Sequence, residues 1–170
     1  MRPAPHQDFN TNVFINCPFD REYDSLLKPI LFTIIYFGFT PQIASRTGDS
    51  GEQRITKILS LILKSKYSIH DLSRIKPHDY KKVLSDLAGI DASSHMNNPK
   101  KVVGALRNWF VESVPSTTAD SATTIWSRFT DFRDDFYARR KRAGFSKADL
   151  KTMPVSEYIS FIRTWTGNNK

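Results

Sequence analysis

With one cysteine, Cys17, in 170 residues, the chain cannot close an intramolecular disulfide, and that usage fits a reducing compartment. It has no long hydrophobic run. The longest, around Leu31 to Phe39, is broken by Thr33 and Gly38 and reads as the end of a buried helix, not a membrane span. The opening Met1-Arg-Pro-Ala-Pro-His-Gln-Asp lacks the apolar stretch of a secretory signal. A cytoplasmic protein without membrane association is therefore expected. No Gly-x-Gly-x-x-Gly fingerprint is present. The four histidines, His6, His70, His78 and His95, show no metal-ligand spacing, so no metal site is expected. There is no internal repeat and no low-complexity tract.

The net charge is +8, unevenly spread. Residues 1–49 hold four Lys/Arg against five Asp/Glu, residues 50–119 eleven against six, and residues 120–170 ten against six. Such a surface permits attraction to phosphates, acidic ligands or nucleic acid without proving any of them.

Residues 1–11, with two prolines and no periodicity, read as a flexible N-terminal arm. Val13 to Asn16 is a short β-prone run ending at Cys17-Pro18. Leu26, Leu27, Ile30, Leu31, Ile34 and Ile35 then recur at helical spacing across 21–37, with Pro29 near the start and Gly38 as the stop. A second strand over 39–44 contains Pro41, which places it near a sheet edge. Ser50 and Gln53 form a capping-box pattern for a helix over 52–64, whose apolar stripe is Ile55, Ile58, Leu59 and Ile62. A third strand covers 67–70, followed by a helix over 79–88 and a short strand over 90–95. Asn98-Pro99 opens a helix with Val102, Val103, Leu106, Trp109 and Phe110 inward. Alternating strands and helices argue for an α/β domain over 12–115, a parallel sheet with helices on both faces.

Residues 116–170 read as a C-terminal helical extension capping that domain. Its first helix aligns Ile125, Trp126, Phe129, Phe132 and Phe136; its second, after Pro154 with Ser156 as cap, aligns Tyr158, Ile159, Ile162 and Trp165. These stripes read first as core and second as an oligomer interface.

Loops at the carboxyl ends of parallel strands are where such sheets bind ligands. Three sets of residues fall there. Asn16, Cys17 and Asp20 sit where the first strand meets its helix, able to hold a phosphate or ribose, or simply to turn and cap the helix. Ser45 and Arg46 follow strand two, where Arg46 can pair with a phosphate or remain a solvated loop residue. Asp71 and Ser73 follow strand three, either binding ribose hydroxyls or capping the next turn. Cys17 lacks a partner base, so it reads as a buried or lightly exposed thiol rather than a nucleophile. His70 and Asp71, adjacent on a strand, point to opposite faces and are not expected to share a catalytic geometry. The basic run Arg139-Arg140-Lys141-Arg142 reads as the favourable end of a helix dipole before it reads as a nucleic-acid contact.

The motifs Val13-Phe14-Ile15-Asn16-Cys17-Pro18-Phe19-Asp20, Tyr67-Ser68-Ile69-His70-Asp71-Leu72-Ser73-Arg74 and Leu84-Ser85-Asp86-Leu87-Ala88-Gly89 resemble those of a bacterial TIR-like group. That group is similar to nucleoside 2-deoxyribosyltransferases and to NAD-cleaving TIR domains. The resemblance covers most of the chain and implies a flavodoxin-like, TIR-like sheet. It further implies a small nucleotide ligand, with NAD or a related nucleoside as substrate of N-glycosidic cleavage in bacterial defence or signalling, and no resident cofactor. One departure matters. After the Asp-Leu-Ser segment the group continues into a Pro-Arg-Phe-Asn-Met-Pro-type stretch, a helix bearing a Glu and another strand. Here Ile75 runs directly into Lys76-Pro77-His78-Asp79-Tyr80. Either the protein has lost that helix and strand or the sequence shown omits them. Because the expected carboxylate belongs to that helix, the resemblance assigns no catalytic residue; Glu52 and Glu112 do not match its position. Two alternatives stay open beside it: a non-catalytic interaction module that oligomerises, and nucleic-acid binding through the basic helix.

Overall fold

A computed structural model describes residues 9–17, 23–44, 51–70, 98–114 and 120–169. The expected helix over 79–88, the strand over 90–95 and the capping residue Ser50 lie outside these residues. Among the described residues the protein is α/β, with a small three-stranded parallel sheet and several helices. Among the described residues no helix is long and apolar enough to cross a membrane.

The sheet consists of β1 (Asn12–Asn16), β2 (Thr40–Ile43) and β3 (Tyr67–His70), in the order β2-β1-β3. Val13 lies opposite Pro41 and Tyr67, Ile15 opposite Ile43 and Ile69, and Asn16 opposite His70. The central strand carries Val13, Phe14 and Ile15 consecutively and buries all three, as a strand covered on both faces must. Pro41, which has no amide hydrogen to give a second neighbour, falls on the outer strand β2.

Between β1 and β2 runs α1 (Asp24–Tyr36). Pro29 is held within it, and its carbonyl accepts the Thr33 hydroxyl at 2.8 Å. The helix stops because Gly38 adopts φ +84°, a left-handed conformation that costs glycine nothing. The Gly38 amide then donates to the Ile35 carbonyl and the Phe39 amide to the Ile34 carbonyl, the paired bonds of a Schellman end.

Beyond β3 come α3 (Pro99–Ser113), α4 (Ala122–Arg142), the short α5 (Lys147–Thr152) and α6 (Val155–Asn168). Asn98 caps α3 as expected: its Oδ1 accepts the amides of Lys100 at 3.1 Å and Lys101 at 3.3 Å. The expected cap at Ser156 is corrected. Pro154, with φ −58° and ψ 138°, precedes α6, and Ser156 lies inside the helix, its carbonyl accepting the Ser160 hydroxyl. The six-residue α5 was not anticipated. Too short for an apolar repeat, it is held by a capping box in which Ser146 and Asp149 exchange side-chain and backbone bonds.

Helices α1, α3, α4 and α6 build one core against the sheet face bearing Val13 and Ile15. Phe32 is its hub, with Phe129, Phe132 and Trp165 rings at 5.6, 5.5 and 6.0 Å. The aromatic stripes of α4 and α6 are thus core: Ile125, Phe129, Phe132, Phe136, Tyr158 and Ile162 are buried, and Trp126 and Trp165 pack against them.

Strand alternation gives the opposite face to Asn12, Phe14, Asn16, Gln42, Ser68 and His70. There Gln42 Nε2 donates to Asn12 Oδ1 at 3.2 Å, and Asn12 Nδ2 donates to the Lys64 carbonyl at 2.8 Å, just beyond α2 (Gly51–Leu63). The expected stripe on α2 remains largely in solvent: Ile55 is 62%, Leu59 55% and Ile62 41% exposed, and Leu63, outside the expected stripe, is 79% exposed. Ile58 and Leu61 are half-buried.

Candidate functional site

All three strands are parallel, so Asn16, Ile43 and His70 end at the same edge of the sheet. From β1 the chain passes through α1 to β2 on one flank, then returns through α2 to β3 on the other. The direction of winding therefore reverses between β1 and β3, and open α/β sheets part their loops at such a reversal to leave a crevice at the carboxyl edge.

At this point the sheet ends in Asn16 and His70, register partners and both exposed. Asn16 Nδ2 lies 3.5 Å from His70 Nδ1, at the long limit of a hydrogen bond. Two residues back on the same face of β1, the buried Phe14 ring meets the His70 ring at 6.0 Å and 67°, an edge-on contact that steadies the imidazole. The next residue, Cys17, is buried and in no disulfide. It fits a packing thiol.

Of the residues expected to line the site, the structure describes Asn16 and Cys17. Asp20, Ser45, Arg46, Asp71 and Ser73 lie outside the described residues. His70, set aside in the sequence because it cannot share a face with Asp71, instead shares one with Asn16. The signal available was its position as the last residue of a strand, but the neighbour it would meet depends on sheet order. Among the described residues no three His, Cys, Asp or Glu side chains converge as a metal would need.

Several other polar groups are engaged within the fold. The Tyr36 hydroxyl donates to the Asp120 carboxylate, while Arg107 Nε donates to the Asp120 carbonyl at 3.0 Å. Burial first, and then the bond to Asp120, push the Tyr36 phenol up to about 12. Burial also drives the Tyr158 phenol far above its ordinary range. Arg140 is buried, with its guanidinium 4.3 Å from the Phe145 ring centroid and 4.4 Å from that of Phe161, and it is ion-paired to Glu157. Arg139 is bonded through Nε to both Asp135 oxygens at 2.9 Å. Two cations of the basic run thus have carboxylate partners, Arg140 buried and Arg139 on the helix surface. At the start of α1, Asp24 pairs with Lys28 at 3.3 Å.

No protein-family model, curated protein or solved structure matches this chain.

Proposed function

We propose that this chain is a nucleotide-binding protein of flavodoxin-like, TIR-like architecture, with its ligand crevice at the carboxyl edge between β1 and β3. The observation that carries the reading is the exposed Asn16–His70 pair where the winding of the sheet reverses. The motif resemblance supplies the ligand class, a nucleotide such as NAD, and a setting in bacterial defence or signalling.

Cleavage of the N-glycosidic bond passes through an oxocarbenium-like state that needs a carboxylate alongside. The helix on which the resemblance expects that carboxylate has no counterpart in the sequence. Glu157 is committed to Arg140, and the Asp120 carboxylate to the Tyr36 hydroxyl. With that helix and strand lost, the protein is read as a weak binder that does not turn NAD over. Calorimetric titration with NAD, paired with an NAD-consumption assay that detects released nicotinamide, tests both halves. Saturable heat without nicotinamide release is expected. Absence of binding contradicts the ligand class, and robust release contradicts the reading of the missing carboxylate.

A second reading, an oligomerising interaction module, draws support from the exposed stripe Ile55, Leu59, Ile62 and Leu63 on α2. Light scattering of wild type against Leu59→Asp tests it. A dimeric wild type reduced to monomer by that change supports it; a wild type monomeric at all concentrations removes it.

A further inference from the structure

We infer that Asn16 and His70 act together as a hydrogen-bonding clamp for the sugar hydroxyls of a nucleoside, with Phe14 beneath them, and that His70 is a contact residue of the site. The inference rests on the nucleotide-binding reading above and goes further, by stating which part of the ligand these residues hold.

The chemistry of the pair decides between sugar and phosphate. A phosphate oxyanion offers acceptors only and is best met by fixed positive charge or by several converging amides. Asn16 and His70 supply something different. A primary amide has two N–H donors and a carbonyl acceptor, and an imidazole that accepts at Nδ1 carries its proton on Nε2. The pair therefore offers donors and acceptors in one small patch. A hydroxyl is itself a donor and an acceptor, and a vicinal diol presents two of each a few ångströms apart.

Geometry supports the same assignment. The 3.5 Å contact between Asn16 Nδ2 and His70 Nδ1 is long, so an incoming hydroxyl inserts or substitutes at little cost. Neither side chain needs to be gathered from a distance, because β1 and β3 hold the two residues in register. Phe14 meets the imidazole edge-on at 6.0 Å, a contact that steadies the ring beside Asn16.

The test uses adenosine, 2′,3′-dideoxyadenosine and inorganic phosphate as probes, titrated into wild type, Asn16→Ala, His70→Ala and His70→Gln. Both positions are exposed, so each variant is expected to fold, which thermal melts check. Wild type is expected to bind adenosine about tenfold more tightly than the dideoxy analogue, the effect of losing one or two hydrogen bonds. Asn16→Ala and His70→Ala are expected to lose about tenfold toward adenosine and little toward the analogue, so the preference collapses. His70→Gln, which keeps a donor and an acceptor, should recover part of it. Phosphate should not displace adenosine. A preference unchanged in the variants, or displacement by phosphate, overturns the clamp while leaving nucleotide binding intact. A wild type that binds neither nucleoside nor NAD overturns the nucleotide reading and the clamp with it.

Discussion

The two faces of the sheet are built on different terms. The face bearing Val13 and Ile15 is closed by α1, α3, α4 and α6 around Phe32, with aromatic rings on every side. The face bearing Asn12, Phe14 and Gln42 holds a polar tie to the end of α2, and that helix keeps Ile55, Leu59, Ile62 and Leu63 in solvent. On the first face apolar burial dominates; on the second, Phe14 is buried too, but it sits among polar residues that tie the strands and reach the carboxyl edge as Asn16 and His70. A small sheet with one rigid, fully packed side can leave its other side and its open edge to function.

The largest effect that should separate the faces is Phe32→Ala. Removing a fully buried ring from the hub is expected to cost about 3–5 kcal/mol, measured by denaturant unfolding. A cost under about 1 kcal/mol would mean that this core is not the main source of stability.

Arg140→Ala should cost less, about 1–3 kcal/mol. It deletes the guanidinium packed between Phe145 and Phe161, but its partner Glu157 is partly exposed and stays hydrated. Arg140→Lys should not rescue it, since an ammonium cannot stack as a planar guanidinium does. Full rescue by lysine would show that charge alone matters there.

Alkaline titration gives a further contrast, because the raised phenols, Tyr36 and Tyr158, both belong to the packed side. An unfolded tyrosine titrates near pH 10, whereas Tyr36 is held up to about 12. The folded state therefore retains a proton that the unfolded state releases, so the Tyr36 contribution is complete below pH 10 and lost as pH rises through about 12. Unfolding free energy should fall across that window. Tyr36→Phe should flatten the fall, and an unchanged slope would contradict the assignment.

The smallest effect is expected on α2. Leu63→Ser, at a largely exposed position, should change stability by no more than about 0.5 kcal/mol. A loss comparable with that of Phe32→Ala would show that the α2 stripe is covered in solution.

Much of this was readable from local patterns. The run Val13-Phe14-Ile15 announced a strand, Pro41 an outer one, Asn98-Pro99 a helix start and Gly38 a helix stop, because each depends on the chemistry of a few adjacent residues. Features that depend on residues far apart in sequence were not readable. Arg140 looks like any member of a basic run until Phe145 and Phe161 close on it. Ser156 resembles a cap by type, yet the extended backbone that opens α6 is at Pro154. The site shows the same division. Asn16 stood out as the last residue of a strand, whereas His70 became its neighbour only through the order β2-β1-β3.

The central claim, a ligand crevice at the carboxyl edge between β1 and β3, is tested most directly by backbone amide shifts recorded as NAD is added to isotope-labelled protein. The account predicts that the largest shifts fall on Asn16, Cys17, Ile69 and His70, with the opposite ends of the strands, at Thr11, Thr40 and Lys66, unmoved. Saturable shifts confined to those opposite ends would contradict it.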